Sequence, residues 1–291
     1  MTGEQSNYLS NAAAGKTKKG QSRILLVNDL VGYGNVALSV MIPILTQMGY
    51  HVFNLPTTVI SNTLDYGKFK ILDTTEFMED SLKVWEELGF SFDAIATGFI
   101  VSEQQMQLVL KTCREASAKG TRIFTDPIMA DGGRLYNGMT ASTVEHMRQI
   151  VSVADVIMPN YTEACYLTET AYTEESLSKG EINRIIDRLI GLGTRSAVIT
   201  SCLVEGEKQV VGYDAEQKDY FYVPYQEIPI RFPGTGDIFS SVLVGTSMKG
   251  ETLAQAARRA AYAVQTMIER NEDLEEKYKG IPVEMFWDVL E

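Results

Sequence analysis

The chain has 291 residues, of which 45% are hydrophobic and 22% are charged, so it can bury a substantial globular core. Its formal net charge is −12, which argues against a nucleic acid or an anionic membrane as a partner, because both require a basic face. We find no apolar stretch long enough to span a membrane, no apolar leader and no CxxC pair among the three cysteines, so we expect a cytoplasmic protein.

Apolar runs with the length of strands alternate with stretches of helical period along most of the chain. We predict strands at 23–27, 51–55, 94–97, 122–125, 156–158 and 196–200, and then a hairpin formed by 209–213 and 220–223. We predict helices at 41–48, 76–88, 103–118, 182–190, 238–248 and 253–270. Residues 1–21 are polar, and we expect them to form a disordered tail.

This alternation predicts one α/β domain over residues 22–291, a three-layer sandwich whose mostly parallel central sheet carries helices on both faces. In such sheets, ligands bind beyond the carboxyl ends of the strands. Polar or aromatic residues that directly follow the predicted strands are therefore candidates for the site: Asn28, Asp29, Thr57, Thr58, Phe99, Asp126, Asn160, Glu163, Thr200 and Ser201.

The sharpest local motif is Pro233-Gly234-Thr235-Gly236-Asp237, which precedes an apolar helical stretch. Two glycines at a helix start allow several backbone N–H groups to converge on an anion, and the helix dipole favours negative charge there. Asp237 lies beside these groups and could accept the proton of an attacking hydroxyl. The alternative is a glycine turn in which Asp237 only stabilises the helix N-terminus.

Two further motifs contain oxygen ligands that suit Mg²⁺. Asn160 and Glu163 follow the strand at 156–158 with a spacing that places both side chains on one helix face. The same spacing also fits a capping box. Asp126 and Asp131 follow the strand at 122–125, where the alternative is an Asx-type turn.

Other catalytic motifs are incomplete. Gly32-Tyr33-Gly34 lacks the third glycine of a dinucleotide-binding loop, and Gly15-Lys16-Thr17 has no strand before it, as a phosphate-binding loop would require. Cys202 has no neighbouring histidine or basic residue in the sequence, so we expect an inert thiol.

The order of these motifs resembles that of the ribokinase-like superfamily and, within it, the pyridoxal/pyridoxamine (vitamin B6) kinases. The resemblance extends from about residue 23 to the C-terminus. Its most specific element is a D-P-x-M-x-D-x-G-x-x-Y pattern, which runs here from Asp126 through Asp131 to Tyr136. The element from Gly234 to Asp237 is shared across the superfamily.

The resemblance implies an enzyme that uses ATP to phosphorylate the 5′-hydroxymethyl group of a B6 vitamer, with Mg²⁺, a monovalent cation such as K⁺, and a homodimer. Asp237 would be the base, and the anion hole would comprise Gly234, Thr235 and Gly236. The residues implied to bind the substrate are Asp29, Thr57, Phe99 and Tyr136. Those implied to bind the nucleotide are Asp126, Asn160, Thr200 and Ser201, and those implied at the metal are Asp126, Asp131 and Glu163.

Three positions depart from the pattern of many B6 kinases. Asp29 replaces Ser, Phe99 replaces Tyr, and Thr63-Leu64-Asp65 replaces His-Thr-Gly. These changes also fit a hydroxymethylpyrimidine or sugar kinase of the same superfamily. A vitamin-binding protein without turnover is a further alternative, although it would need neither Asp237 nor the pair formed by Asn160 and Glu163.

Overall fold

The computed structural model describes residues 21–290, which form one nine-stranded sheet, one two-stranded sheet and the helices around them. The strands are β1 (Arg23–Val31), β2 (His51–Ile60), β3 (Ile71–Asp73), β4 (Ala94–Thr97), β5 (Arg122–Thr125), β6 (Ala130–Asp131), β7 (Arg134–Leu135), β8 (Val156–Ile157), β9 (Ser196–Val204), β10 (Glu207–Asp214) and β11 (Asp219–Pro224). The α-helices are α1 (Leu38–Gln47), α2 (Thr75–Glu87), α3 (Glu103–Ser117), α4 (Ala141–Val151), α5 (Tyr161–Thr168), α6 (Lys179–Gly191), α7 (Thr235–Met248) and α8 (Leu253–Glu269).

The large sheet has the strand order β11-β10-β9-β8-β5-β4-β1-β2-β3. Its six central strands are parallel, whereas β3, β10 and β11 pair antiparallel with their neighbours at the two ends. The predicted α/β sandwich is therefore confirmed.

The core lies on both faces of the sheet because successive residues of a strand point to opposite faces. Ile24 and Leu26 pack in a cluster with α1, α7 and α8, while Leu25 and Val27 pack in a second cluster with α2 to α6. All four side chains are fully buried or nearly so. The nearly unbroken apolar run of β1 is explained by this two-sided burial.

The strand order reverses between β1 and β4, because the chain continues from β1 to β2 on one side and to β4 on the other. In open α/β sheets, ligands bind beyond the carboxyl ends of the strands at such a reversal. The first residues beyond the regular pairing of these strands are Asn28 on β1 and Gly98 after β4.

Three predicted strands were too short. β1 was predicted to end at residue 27 and continues to Val31, with an irregular register between Asn28 and Leu30; β2 was predicted to end at residue 55 and continues to Ile60; and β9 was predicted to end at residue 200 and continues to Val204. The extension of β1 pairs parallel with β2, that of β2 pairs antiparallel with β3, and that of β9 pairs antiparallel with β10, so partners from other strands satisfy the backbone there. The polar residues therefore lie within the strands rather than after them.

Among the strands and α-helices, α4, β3 and the hairpin formed by β6 and β7 were not predicted, and for α5 only the start at Asn160 was indicated. The buried residues Val144, Met147, Ile150 and Val151 recur with helical spacing, so a signal for α4 was present. The strands of the hairpin have two residues each, which is too short for a periodic signal.

No helix between residues 21 and 290 is both long and apolar enough to cross a bilayer. The predicted disorder at 1–21 lies, except for Gln21, outside the described residues. The three cysteines are free and buried.

Candidate active site

A cavity of about 630 Å³ lies at the carboxyl ends of β5, β8 and β9 and extends to the N-terminus of α7. It brings together ten of the predicted site residues, which are Asp126, Asp131, Tyr136, Asn160, Glu163, Thr200, Gly234, Thr235, Gly236 and Asp237. These residues span more than 100 positions of the chain, so the fold has assembled them.

The N-terminus of α7 faces this cavity. The carbonyl of Gly234 accepts the N–H of Ile238 at 3.0 Å, so the N–H groups of the three residues between them have no partner within the helix. Gly234 has φ of 83°, and a Cβ there would lie 2.3 Å from the carbonyl oxygen of Asn35. Only glycine fits this position, and the free N–H groups form a site for an anion.

Gly236 differs from Gly234 because a Cβ at Gly236 would meet no atom within 4 Å and its φ requires no glycine. The residue is exposed and lines the cavity. Its missing side chain therefore leaves space for a ligand close to the free N–H groups, rather than relieving a contact within the protein.

Asp237 occupies the first turn of α7, and its carboxylate is held by two donors from the region of β1 and α1. Oδ2 accepts the backbone N–H of Ala37 at 2.8 Å, and Oδ1 accepts Nδ2 of Asn28 at 3.4 Å. Burial raises the pKa of Asp237 to about 6, and these two hydrogen bonds oppose the rise. The group is therefore a base that is ionised at neutral pH and has a pKa close to it.

The side chain of Asn28 lies between Asp237 and the carboxyl ends of β1 and β4. Its Oδ1 accepts the backbone N–H of Phe99 at 2.8 Å and that of Asp29 at 3.0 Å. Gly98 packs so closely on the amide that a Cβ there would lie 2.7 Å from its atoms. Asp29 and Phe99, both predicted at the substrate site, are thereby bound through their backbone to the side chain that donates to Asp237, and neither lines the large cavity.

Asp29 is a partly buried carboxylate close to Asp237. Burial is the main cause that raises the pKa of Asp29 to about 7, and the negative charge of Asp237 raises it further. Within residues 21–290, the only hydrogen bond that lowers the pKa of this carboxylate is donated by the backbone N–H of Asp29 itself. A cationic or N–H group of a ligand would relieve this cost of burial.

Asp126 follows β5 and faces α7. Its Oδ2 accepts the hydroxyl of Ser240 at 2.7 Å, and Ser240 lies one turn after Asp237. Burial raises the pKa of Asp126, and the charge of Asp237 contributes to the rise. Ser240 was not among the predicted site residues, although its spacing of three residues from Asp237 places both side chains on one face of the helix.

Asn160 and Glu163 form a capping box at the start of α5, as the alternative in the sequence analysis proposed. Asn160 Oδ1 accepts the N–H of Glu163 and Glu163 Oε2 accepts that of Asn160, both at 2.9 Å. Glu163 Oε1 also accepts the N–H groups of Met129 at 3.0 Å and Ala130 at 3.4 Å. The pair therefore stabilises the loop that carries Asp126 and Asp131, and it also lines the cavity.

Asp126 and Glu163 line the cavity and could bind a divalent cation through their carboxylates. Residues 21–290 contain no group of three or more His, Cys, Asp or Glu side chains that could hold a metal. Burial raises the pKa of Glu163 and the negative charge of Asp126 raises it further, which means that a cation near both would relieve their repulsion. Two carboxylates suit Mg²⁺ when substrate phosphates and waters supply the other ligands, so the site fits that ion.

The remaining predicted residues differ in their access to the cavity. Asp131 and Tyr136 are exposed around the β6–β7 hairpin at its rim, and Thr200 lies in β9 at its wall. Ser201 follows Thr200 in β9, and its side chain lies outside the described part of the chain. Thr57 is fully buried in β2, and its carbonyl accepts Nε2 of Gln105 at 2.7 Å, while its hydroxyl has no hydrogen-bond partner among residues 21–290. Its role at a substrate pocket stays a prediction.

The sequence analysis also missed the segment before α7. Residues 225–233 line the cavity together with the α8 residues Ala261, Val264, Gln265 and Ile268, and Arg231 is the one basic side chain in the described lining. The segment has neither strand nor helix between β11 and α7, so no periodic signal pointed to it.

Comparisons with known proteins agree with this geometry. Residues 42–282 match the model of the phosphomethylpyrimidine kinase family. The fold superposes with a TM-score of 0.88 on a Bacteroides thetaiotaomicron protein assigned to the phosphomethylpyrimidine kinases, which is 35% identical, with 95% of this chain and 96% of that chain covered. The pyridoxal kinase of Leishmania donovani is 25% identical with a TM-score of 0.78, covering 92% and 94% of the two chains.

A curated relative extends the comparison. The pyridoxine/pyridoxal/pyridoxamine kinase of Bordetella pertussis is 27% identical over 278 residues, which cover 86% of this chain and 89% of that protein. Together with the site at the N-terminus of α7, these matches confirm the resemblance found in the sequence. The chain is a kinase that belongs to the phosphomethylpyrimidine kinase family of the ribokinase-like superfamily, in the group that includes the vitamin B6 kinases.

Proposed function

We propose that this protein uses ATP to phosphorylate the 5′-hydroxymethyl group of pyridoxal, pyridoxine or pyridoxamine. The observation that carries the proposal is the position of Asp237. A carboxylate with a pKa of about 6 lies in the first turn of α7, beside free N–H groups that open onto a cavity large enough for a nucleotide.

The residues divide the reaction between them. Asp237 accepts the proton of the acceptor hydroxyl as its oxygen attacks the terminal phosphorus of ATP. The N–H groups of Thr235 and Gly236 stabilise the charge on the transferring phosphoryl group. Asp29, which is close to Asp237, and Phe99, whose backbone N–H is bound by Asn28, bind the pyridine ring through a carboxylate contact and a stacking surface.

Relatives support this choice of substrates. The Bacteroides thetaiotaomicron protein was also crystallised with pyridoxal. In that crystal form the aligned region covers 93% of the present chain, with 35% sequence identity. The Leishmania donovani enzyme was crystallised with ADP and pyridoxine. ADP is the product that ATP leaves after phosphoryl transfer, so its presence supports ATP as the donor.

Mg²⁺ is the divalent metal that we propose, held by Asp126 and Glu163 with Asp131 near the triphosphate. When bound, the ion neutralises charge on the phosphate oxygens of the nucleotide. Asn160 and Thr200 belong to the nucleotide side of the cavity, and Tyr136 belongs to the hairpin that covers it. K⁺ is the proposed monovalent activator, which a comparison of turnover in K⁺ and Na⁺ salts would test.

We further propose a cytoplasmic homodimer with a single catalytic domain over residues 22–291. Light scattering coupled to size-exclusion chromatography would measure a mass of about twice the 32.3 kDa chain for a dimer. A mass equal to one chain would contradict that part of the proposal without affecting the kinase reaction.

The function is tested with a panel of acceptors assayed for ADP release in the presence of Mg²⁺ and ATP. The panel comprises pyridoxal, pyridoxine, pyridoxamine, hydroxymethylpyrimidine and ribose, with Asp237→Ala as the inactive control. Hydroxymethylpyrimidine is the second candidate, because the family description names its phosphate, phosphomethylpyrimidine, whereas the B6 kinases among the relatives favour the vitamers. A higher kcat/KM for that acceptor than for every B6 vitamer would overturn the proposed substrate, and binding of B6 vitamers without turnover would favour the non-catalytic alternative.

A further inference from the structure

The side chain of Asn28 lies at the point where β1, β4 and α7 meet, and the reaction described above assigns it no role. It is 1% exposed, its oxygen accepts the N–H groups of Asp29 and Phe99, and its nitrogen lies 3.4 Å from both Oδ1 of Asp237 and the sulfur of Met41. A buried primary amide can be fully satisfied only where donors and acceptors are arranged around it. Such an arrangement indicates that its position is required.

The two ends of the amide contact different parts of the site. Its oxygen accepts the N–H groups of Phe99 at 2.8 Å and Asp29 at 3.0 Å, next to the proposed acceptor pocket. Its nitrogen donates to Oδ1 of Asp237 at 3.4 Å, across 209 positions of the chain. The amide therefore joins the proposed base to the backbone that carries the proposed acceptor-binding residues.

A second donor limits the rotation of the Asp237 carboxylate. Ala37 donates its N–H to Oδ2 at 2.8 Å, from a backbone conformation with φ of 48° that alanine rarely adopts. With one donor on each oxygen, the plane of the carboxylate is defined by Asn28 on one side and Ala37 on the other. Loss of either donor leaves the carboxylate free to turn about its Cβ–Cγ bond.

Gly98 provides independent evidence that the amide must lie where it does. A Cβ at this residue would be 2.7 Å from Cγ, Oδ1 and Nδ2 of Asn28, which is closer than real Cβ contacts. The φ of Gly98 lies outside the left-handed region, so its backbone conformation does not itself require glycine. The three atoms nearest to such a Cβ all belong to the Asn28 amide, so the glycine makes room for that amide.

We propose that Asn28 is the positioning residue that orients the Asp237 carboxylate toward the acceptor hydroxyl, and that Gly98 is needed because it admits the Asn28 amide. The inference rests on the kinase reaction proposed above. Asn28 does not line the cavity, and it acts on the reaction only through its hydrogen bond to Asp237.

Two substitutions of Asn28 separate this role from a purely structural one. Asn28→Asp keeps an oxygen that can accept from Phe99 and Asp29, but at pH 8 it supplies no donor to Asp237 and adds a negative charge. Asn28→Ala removes both functions. We expect both variants to lower kcat about tenfold or more while the KM for ATP stays within about twofold, because a hydrogen bond to a charged group is lost in each. A structural role limited to the two N–H groups predicts near-normal kcat for Asn28→Asp.

Gly98→Ala tests the same contact without changing Asn28. We expect Gly98→Ala alone to lower kcat about tenfold, and to have less than a twofold effect in the Asn28→Ala background, where the added methyl group has room. Independent effects of the two substitutions would multiply instead. Ser241→Ala is the matched control, because Ser241 donates to the backbone carbonyl of Asp237 at 2.6 Å and leaves its carboxylate untouched.

Steady-state kinetics with pyridoxal and ATP, and thermal unfolding of each variant, complete the test. The proposal is supported if Asn28→Asp lowers kcat and if the effects of Gly98→Ala and Asn28→Ala on kcat do not multiply when combined. If an Asn28 variant does not fold, the effect of Gly98→Ala alone on kcat is the decisive comparison. Normal kcat in Asn28→Asp with an active wild type would overturn the positioning role alone. A wild type that phosphorylates no acceptor would overturn the proposed function and the positioning role with it.

Discussion

Replacing Asp237 with asparagine should make the protein more stable and less active. The pKa of Asp237 rises from 3.8 to about 6 on folding, mainly because the carboxylate is buried. A shift of about two units corresponds to about 3 kcal/mol of unfavourable free energy when the folded protein holds the ionised group above pH 6. Asparagine has nearly the same shape and no charge, so this cost disappears.

The gain is smaller than the full cost because asparagine keeps only one acceptor. The N–H of Ala37 and the amide of Asn28 both donate to Asp237, and one of them would face the new NH2 group. A lost hydrogen bond costs about 1 kcal/mol, which leaves a net stabilisation of about 2 kcal/mol. For a chain of 291 residues, that difference raises Tm by roughly 3 °C.

The dependence on pH identifies the cause. The folded-state pKa of about 6 lies above the unfolded value. At pH 8 the buried, ionised carboxylate therefore lowers the free energy of unfolding of the wild type by the full cost, and this cost decreases as the pH falls from about 6 toward 4. Asp237→Asn lacks this dependence. The difference in Tm between the two proteins should therefore be largest at pH 8 and should shrink strongly by pH 5.

Differential scanning calorimetry of the ligand-free proteins at pH 8 and pH 5 measures this difference, and a kinase assay at pH 8 should show a loss in kcat of at least about 100-fold. The matched control is Asp80→Asn, because Asp80 forms an exposed ion pair with Lys83 at 3.2 Å that contributes little to stability. An equal or lower Tm for Asp237→Asn at pH 8, or near-normal turnover, would refute the reasoning.

Three further predictions test other parts of the site. Asn160→Ala should lower the free energy of unfolding in urea by about 1–2 kcal/mol and reduce turnover, whereas Ser178→Ala, which removes the equivalent cap of α6 away from the cavity, should affect stability alone. Gly234→Ala should lower both Tm and kcat, because its Cβ would collide with a backbone carbonyl. Gly236→Ala should keep Tm within about 1 °C and impair turnover, because its methyl group would fill the phosphate site. Equal effects of the two substitutions on Tm would contradict this distinction. The thiols should react with a disulfide reagent at pH 8 only on unfolding, because burial raises the pKa values of Cys113, Cys165 and Cys202, and rapid labelling of the native protein would be inconsistent with their burial.

Much of the architecture was predictable from local patterns. Apolar runs and helical periodicity located most strands and helices, since burial on one or both faces imposes a period on the sequence. Both Ala94–Thr97 and Arg122–Thr125 were predicted with the bounds that the structure shows. The glycines before Asp237 and the spacing of Asn160 and Glu163 also indicated two helix starts, because caps and turns depend on neighbouring residues.

The lengths of β1, β2 and β9 were not predictable in this way, because hydrogen-bonding partners from other strands extend them. Nor did any local pattern indicate that Asn28 contacts Asp237 or that Ser240 contacts Asp126, since these pairs are 209 and 114 residues apart. Residue types and spacing thus identified the groups capable of phosphoryl transfer. Their mutual orientation, and the burial that brings the pKa of Asp237 to about 6, arise from packing between segments distant in the chain.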